Sequence, residues 1–348
     1  MNIVLLDSNT LGADIDLSVF KKYGELTVYE KSSQEEAKER VKDADVIITN
    51  KVMLNEETLS KASHLRLICV TATGTNNVDF DYTNSKNITV TNVSGYSTPT
   101  VMQHTFAMLF YLLEKLRTYD EYVKSGEYIK SPAFTYLGES FNDITGMTYG
   151  IIGLGAIGRE VAKVAQAFGC RVIYYSTSGR NNNCDYERVD LDTLLRESDI
   201  ISIHAPLNEN TQGLINLDNL NKMKKSAILL NLGRGPIVNE NDLAYALKND
   251  IIAAAGLDVL TREPMTKDNP LFDIKDSRKL LITPHMAWGS VEARRRLMEE
   301  VCKNIEAYIN GKLERYIYGG CGQIEKFVFP STFKSVQGSI SAYHNHSD

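Results

Sequence analysis

Three side chains in this sequence are suited to proton and anion chemistry, and each follows an apolar run that reads as a β-strand. They are Arg234 in NLGRG, Glu263 in DVLTREP and His285 in ITPHMAW. In a parallel sheet, residues at the carboxyl ends of the strands converge on one crevice. An arginine, a carboxylate and a histidine meeting there suit hydride transfer to a 2-keto acid. The guanidinium can hold carboxylate and carbonyl oxygens together, and the imidazolium can give its proton to the developing alkoxide. The glutamate can hold the ring and favour its charged form. Singly, each has a plainer reading: a loop ion pair, a surface acid beside Pro264, a hydrogen-bonded loop histidine.

A hydride donor has its own motif. In IIGLGAIGRE, Gly153, Gly155 and Gly158 form GxGxxG between an apolar strand and a helix opened by Ala156 and Ile157. Gly153 permits the tight turn, Gly155 lets the backbone approach a pyrophosphate, and Gly158 lets the helix pack close to the sheet. The helix N-terminus faces the phosphate charge. The next strand, RVIYY, ends near Tyr175, where an NAD-binding unit usually places an Asp or Glu for the ribose hydroxyls. Here the chain reads Ser176-Thr177-Ser178-Gly179-Arg180. Hydroxyls and Arg180 in place of a carboxylate admit a 2′-phosphate and favour NADP(H); the alternative is a surface turn in an NAD enzyme.

The elements that must position these residues follow an α/β rhythm. From Asn2 to about Gly95, β-rich runs (IVLLD, VIIT, LICV, ITVTN) alternate with helix-like segments such as QEEAKERVK. Thr98-Pro99 then opens an apolar-periodic helix through Val101, Phe106, Leu109, Phe110, Leu113 and Leu116, with Thr98 as N-cap. After a loop around residues 125–146 the rhythm restarts: YGIIG, RVIYY, DIISI, AILLN and IIAAAG. Near-continuous apolar strands joined by helices imply a parallel sheet covered on both faces. The pattern from Trp288 to Ile309 reads as one long helix ended by Gly311. Residues 313–348 break the rhythm, are rich in aromatics and receive no function. The terminal His344 and His346 read as part of a mobile end and not as a metal site.

The 348 residues exceed one hydrophobic core, so two domains are expected. With 38 basic and 44 acidic side chains the net charge is −6, which argues against unspecific nucleic-acid or anionic-membrane binding. The run Arg294-Arg295-Arg296 is offset by Glu299 and Glu300 at helical spacing. No leader is read at MNIVLLDSNT, and no apolar stretch approaches the roughly 18 residues of a membrane span. Five widely spaced cysteines without a CxxC pair fit reduced thiols in the cytoplasm, with no disulfide frame and no zinc site.

Over about residues 45–311 the chain resembles the D-isomer-specific 2-hydroxyacid dehydrogenase family. The resemblance rests on IIGLGAIG, the stretch from HAPLNENTQGLIN to NLGRGPIVNENDLAYAL, AGLDVLTREP and ITPHMAW, in the family's order. It implies that Arg234 binds substrate, Glu263 orients the histidine and His285 is the acid/base. It further implies that Thr73 and Gly74 in TATGTNNVD hold the substrate carboxylate, with Tyr96 and Thr98 beside substrate and nicotinamide. Asp258 would face the nicotinamide, and His204, Pro206, Thr211 and Leu232 would complete the cofactor site.

Within the family, Trp288 after His285-Met286-Ala287, with TGTNNVD and Gln103-His104, looks most like the glycerate dehydrogenase (hydroxypyruvate reductase) branch. The absence of Lys or Arg from Leu67 to Asp79 disfavours a phosphorylated substrate, although Lys51 supplies one positive charge. D-lactate or phosphoglycerate dehydrogenase, or a non-catalytic nicotinamide-sensing module, are the alternatives.

The fold implied is α/β: a Rossmann-type doubly wound parallel sheet inserted in a smaller flavodoxin-like substrate domain. The expected boundaries are 1–97 plus 288–312 for the substrate domain and 98–287 for the dinucleotide-binding domain. A homodimer is implied by the resemblance.

Overall fold

The computed structural model describes residues 1–182 and 185–312. The aromatic C-terminal stretch with His344 and His346, together with Cys184 and Cys321, lies outside the described residues. The chain forms two compact units, Met1–Ser94 with the chain from Arg295 onward, and Gly95–Arg294. The second division falls inside the last helix.

In the first unit, β1 (Asn2–Leu5), β2 (Glu25–Val28), β3 (Val46–Thr49), β4 (Leu67–Val70) and β5 (Thr89–Thr91) form a parallel sheet of order β2-β1-β3-β4-β5. This is the flavodoxin-like order. All four residues of β3 and of β4 are buried, as apolar runs without alternation require. The Gln34–Arg40 helix opens on a capping box between Ser33 and Glu36, a device worth about 1 kcal/mol. The returning chain belongs here too. Glu306 takes an ion pair from Lys22 at 3.0 Å and a hydrogen bond from the Tyr23 hydroxyl at 2.5 Å, and Asn304 donates to the Asn92 carbonyl at 3.0 Å.

In the second unit, β6 (Thr148–Ile152), β7 (Arg171–Tyr175), β8 (Glu187–Arg188), β9 (Ile200–Ile203), β10 (Ile228–Asn231), β11 (Ala254–Leu257) and β12 (Leu280–Ile282) form one sheet. Its order is β12-β11-β10-β9-β6-β7-β8 and every pair is parallel. The order reverses between β6 and β9, the switch point at which such sheets open a crevice. Alternate residues bury both faces. Ile152, Ile201, Ile203 and Leu229 pack on one side with Leu194, Leu220 and Leu243, while Tyr149, Ile151, Ile200 and Leu230 pack on the other with Phe106, Leu109 and Val161. This is a Rossmann-type doubly wound fold. Among the described residues no helix is long and apolar enough to cross a membrane.

Three helix limits differ from the sequence expectation. The first long helix of this unit runs Thr98–Leu113 with Ser97 at the N-cap, because the chain turns at Gly95 (φ +80) and the Val101 amide bonds the Ser97 carbonyl. It ends before Leu116, since Lys115 takes a left-handed conformation (φ 54) and a separate helix, Leu116–Lys124, follows. The last helix begins at Val291 and not at Trp288. Residues 286–289 make a turn first, and the Ser290 hydroxyl caps the helix by accepting the Ala293 amide at 3.1 Å.

Candidate active site

The loop after β12 carries His285, and the segment after β11 carries Asp258 and Glu263. His285 Nδ1 lies 2.7 Å from Glu263 Oε2. The other carboxylate oxygen of Glu263 accepts the Leu260 amide at 2.9 Å, which fixes the acid relative to its own loop. His285 itself is left-handed (φ 52), an uncommon state for a residue with a Cβ. Its carbonyl accepts the indole N–H of Trp288 at 2.9 Å, and the Trp288 ring meets Tyr96 edge to face with centroids 6.3 Å apart.

Arg234 lies just after β10, half-buried. Its Nη1 donates to the Gly233 carbonyl at 2.8 Å, and Asn231 Nδ2 donates to the Arg234 carbonyl at 3.0 Å, so both loop and guanidinium are held. Burial pushes the Tyr96 hydroxyl up to about 12, against the opposing charge of Arg234. Tyr96 is therefore a neutral phenol. Tyr96, Trp288, His285 and Glu263 are thus linked in sequence, and Arg234 lies in the same unit.

The glycine loop after β6 has two positions that only glycine fits. Gly153 has φ +93 and a Cβ there would meet the Ala205 backbone at 2.9 Å; a Cβ on Gly158 would meet the Gly153 carbonyl oxygen at 2.3 Å. A Cβ on Gly155 would meet nothing within 4 Å. Gly155 caps the Ala156–Ala167 helix without a side-chain hydrogen bond. The first-turn amides, unlike those of a Ser- or Asp-capped helix, have no side-chain acceptor there, and helix N-terminal amides suit a phosphate. His204 Nε2 is 3.0 Å from Ser202 Oγ, and its buried Nδ1 has no hydrogen-bond partner. Burial pushes this ring down to about 3, so it is neutral. A neutral ring nitrogen without a partner and an open space over Gly155 fit a dinucleotide.

The remaining expected residues are placed as follows. Ser176 is buried and accepts the Asn181 amide at 3.3 Å, while Arg180 is exposed on the same turn. Thr211 has its hydroxyl committed to the Pro206 carbonyl at 2.7 Å, and Leu232 is buried. Thr73 and Gly74 belong to the first unit, where Thr73 Oγ1 donates to the Val93 carbonyl at 3.0 Å. Asp258, expected to face the nicotinamide, is 2% exposed and accepts three donors from the segment 283–287: Thr283 Oγ1 at 2.6 Å, the Met286 amide at 2.9 Å and the Ala287 amide at 2.9 Å. His104, whose sequence context marks only the branch of the family, is 3.1 Å from Thr283 Oγ1. Among the described residues no cluster of three or more His, Cys, Asp or Glu is placed to hold a metal.

A family model for the NAD-binding domain of D-isomer-specific 2-hydroxyacid dehydrogenases matches residues 106–287. The chain is 38% identical to a hydroxypyruvate reductase of Blautia hydrogenotrophica, with 89% of this chain and 98% of the relative covered. It is 38% identical to a glycerate dehydrogenase of Methylorubrum extorquens, covering 90% and 98%. Among solved structures, an acyclic imino acid reductase in complex with NADPH and D-Arg superposes with a TM-score of 0.81 at 32% identity, covering 91% of this chain and all of that one. The chain belongs to the D-isomer-specific 2-hydroxyacid dehydrogenase family. It is a nicotinamide-dependent oxidoreductase with 2-hydroxyacid dehydrogenase activity.

Proposed function

We propose that this enzyme reduces hydroxypyruvate, and secondarily glyoxylate, to D-glycerate and glycolate, with NADPH preferred over NADH. The observation that carries the reading is the His285–Glu263 pair at 2.7 Å, tied through Trp288 to Tyr96. When bound, the reduced nicotinamide supplies the hydride. The protein does the rest. Arg234 grips the substrate carboxylate and carbonyl oxygen, which polarises the keto carbon. His285, with Nδ1 turned to Glu263, presents Nε2 and delivers a proton to the oxygen as it gains charge. Tyr96 and Trp288 wall the substrate with one hydroxyl and one apolar face, which suits a small hydroxylated acid. The relatives named hydroxypyruvate reductase and glycerate dehydrogenase support the same substrate.

The cofactor reading rests on the turn after β7. Ser176 and Arg180 stand where an NAD enzyme usually has a carboxylate, so a 2′-phosphate meets a cation and not a like charge. Gly153, Gly155, Ala156, Ile157 and Gly158 would hold the pyrophosphate, and His204, Pro206, Thr211, Leu232 and Asp258 complete the site. A homodimer and a cytoplasmic location belong to the same reading. The first is supported by the apolar surface between Leu116 and Phe141, the second by the free thiols of Cys69, Cys170 and Cys302. The deciding experiment is steady-state turnover of hydroxypyruvate, glyoxylate, pyruvate and phosphohydroxypyruvate with NADH and with NADPH. Hydroxypyruvate with NADPH should give the highest kcat/KM; a preference for pyruvate or the phosphorylated acid refutes the substrate assignment.

A further inference from the structure

The strain at His285 needs an explanation from outside its own loop. A residue with a Cβ in the left-handed region costs about 1 kcal/mol or more unless its surroundings fix it there. Here three successive amides converge on one residue. The His285 N–H bonds the Asp258 carbonyl at 2.8 Å, and the Met286 and Ala287 N–H groups bond the two carboxylate oxygens of Asp258, each at 2.9 Å. Asp258 thus clamps the backbone that carries the histidine. The clamp has a further support. Thr283 Oγ1 is 2.6 Å from Asp258 Oδ1 and 3.1 Å from His104 Nε2.

The proton positions follow from chemistry. A carboxylate only accepts, so the single hydroxyl proton of Thr283 goes to Asp258, and the Thr283 oxygen must accept from His104 Nε2–H. His104 lies on the Thr98–Leu113 helix, which makes a second tie to the same region through Thr100 Oγ1 and Ser290 Oγ at 2.8 Å.

We propose that His104 and Thr283 are positioning residues that set His285 for proton transfer, through the relay His104 Nε2–H to Thr283 to Asp258. His104 acts through Thr283 and not on the reacting atoms. Its hydrogen bond gives the Thr283 hydroxyl one direction, which keeps the buried carboxylate satisfied and the amides of residues 285–287 in register. Removing one donor from a buried carboxylate releases the loop, and a displacement of about 1 Å at a reacting group costs up to about a hundredfold in rate.

This inference rests on the reading of His285 as the proton donor, and the test separates the two. Thr283→Val and His104→Leu remove the relay, whereas Thr283→Ser and His104→Gln keep a hydroxyl and an N–H donor. Using hydroxypyruvate and NADPH, kcat should fall about a hundredfold in Thr283→Val and about tenfold in His104→Leu, with KM for NADPH near wild type. The Ser and Gln variants should recover most of the loss. In a His285→Ala background, His104→Leu should cause no further loss.

A cofactor-free readout is the single tryptophan. Trp288 bonds the His285 carbonyl, so its emission should move to the red in the Val and Leu variants and stay in place in the Ser and Gln variants. If His285→Ala is inactive while Thr283→Val and His104→Leu match wild type in kcat and emission, the relay is wrong. If His285→Ala retains full turnover, the proton-donor reading has failed, and the emission of the same variants still decides whether the relay holds the loop.

Discussion

His285 Nδ1 and Glu263 Oε2 face each other at 2.7 Å, and Glu263 cannot turn away without also losing the Leu260 amide on Oε1. The pair therefore leaves Nε2 as the imidazole nitrogen that Glu263 does not engage. His285→Gln should lower kcat by roughly a hundredfold or more, with NADPH affinity near wild type. Glu263→Gln retains a hydrogen-bonding group but removes the negative charge, and its reductive kcat should fall about tenfold. Steady-state kinetics and a cofactor titration check both; undiminished turnover in His285→Gln removes this residue from the mechanism.

Arg234 is the second fixed point. Its loop is held from both sides, by Asn231 at the carbonyl and Gly233 at Nη1. An ammonium in its place keeps the charge but loses the planar fork, so Arg234→Lys should lower kcat/KM for hydroxypyruvate by about ten- to a hundredfold. Most of the change should appear in KM if the guanidinium grips ground state and transition state alike. Wild-type kinetics in that variant contradicts the assigned role.

Cofactor choice is testable at Arg180, which is exposed and whose amide donates to Ser178 Oγ at 3.3 Å. Arg180→Ala should raise KM for NADPH about tenfold while leaving KM for NADH nearly unchanged, because only the 2′-phosphate meets this cation. Equal changes with both cofactors mean that Arg180 does not read the phosphate.

What the sequence made legible is what is local or strand-bound. The GxGxxG turn is contiguous, and its steric demands at Gly153 and Gly158 appear in the motif itself. Arg234, Glu263 and His285 stand out in the sequence because each follows a recognisable apolar strand, and the structure sets His285 beside Glu263. The positioning of His285 was not legible. His104 and Thr283 are 179 residues apart, Thr283 and Asp258 are 25 apart, and neither spacing has a periodicity that marks a contact. The resemblance places Asp258 at the cofactor, and nothing in AGLDVL shows that its carboxylate also accepts the amides of residues 286 and 287. The break at Lys115 is hidden for a related reason: apolar periodicity continues through Leu116, and only the left-handed backbone interrupts the helix.

His204 makes stability depend on pH. Its folded value, about 3, lies below the unfolded value near 6.5. The unfolded state therefore binds more protons, so stability is full above about pH 6.5 and falls as pH drops toward 3. Between pH 7 and 5.5 this one ring should cost roughly 1 kcal/mol. Denaturant titrations of wild type and His204→Gln at both pH values check it, and the variant should show a shallower pH dependence by about that amount. Parallel pH dependences would mean that the ring stays solvated.

The surface between Leu116 and Phe141 carries eight exposed large apolar side chains, among them Ile129 at 88%, Phe134 at 90% and Leu137 at 80% exposure. Within it, Tyr122 and Tyr136 stack at 4.0 Å, so the rings form a fixed face and not isolated points. Its charges are balanced by local pairs, Arg117 with Glu121, Lys124 with Asp120 and Lys130 with Glu127. A face whose exposed charges are paired in this way repels its own copy little, and monomers rarely expose a contiguous apolar patch of more than a few hundred Å². A second copy covering it would bury these side chains at about 25 cal/mol per Å². Wild type should sediment as a dimer at micromolar concentration. Phe134→Asp with Leu137→Asp should sediment as a monomer without a loss of helical or strand signal in circular dichroism, because neither side chain is part of a core. A monomeric wild type, or a doubly substituted chain that still dimerises, rejects this surface as the contact between copies.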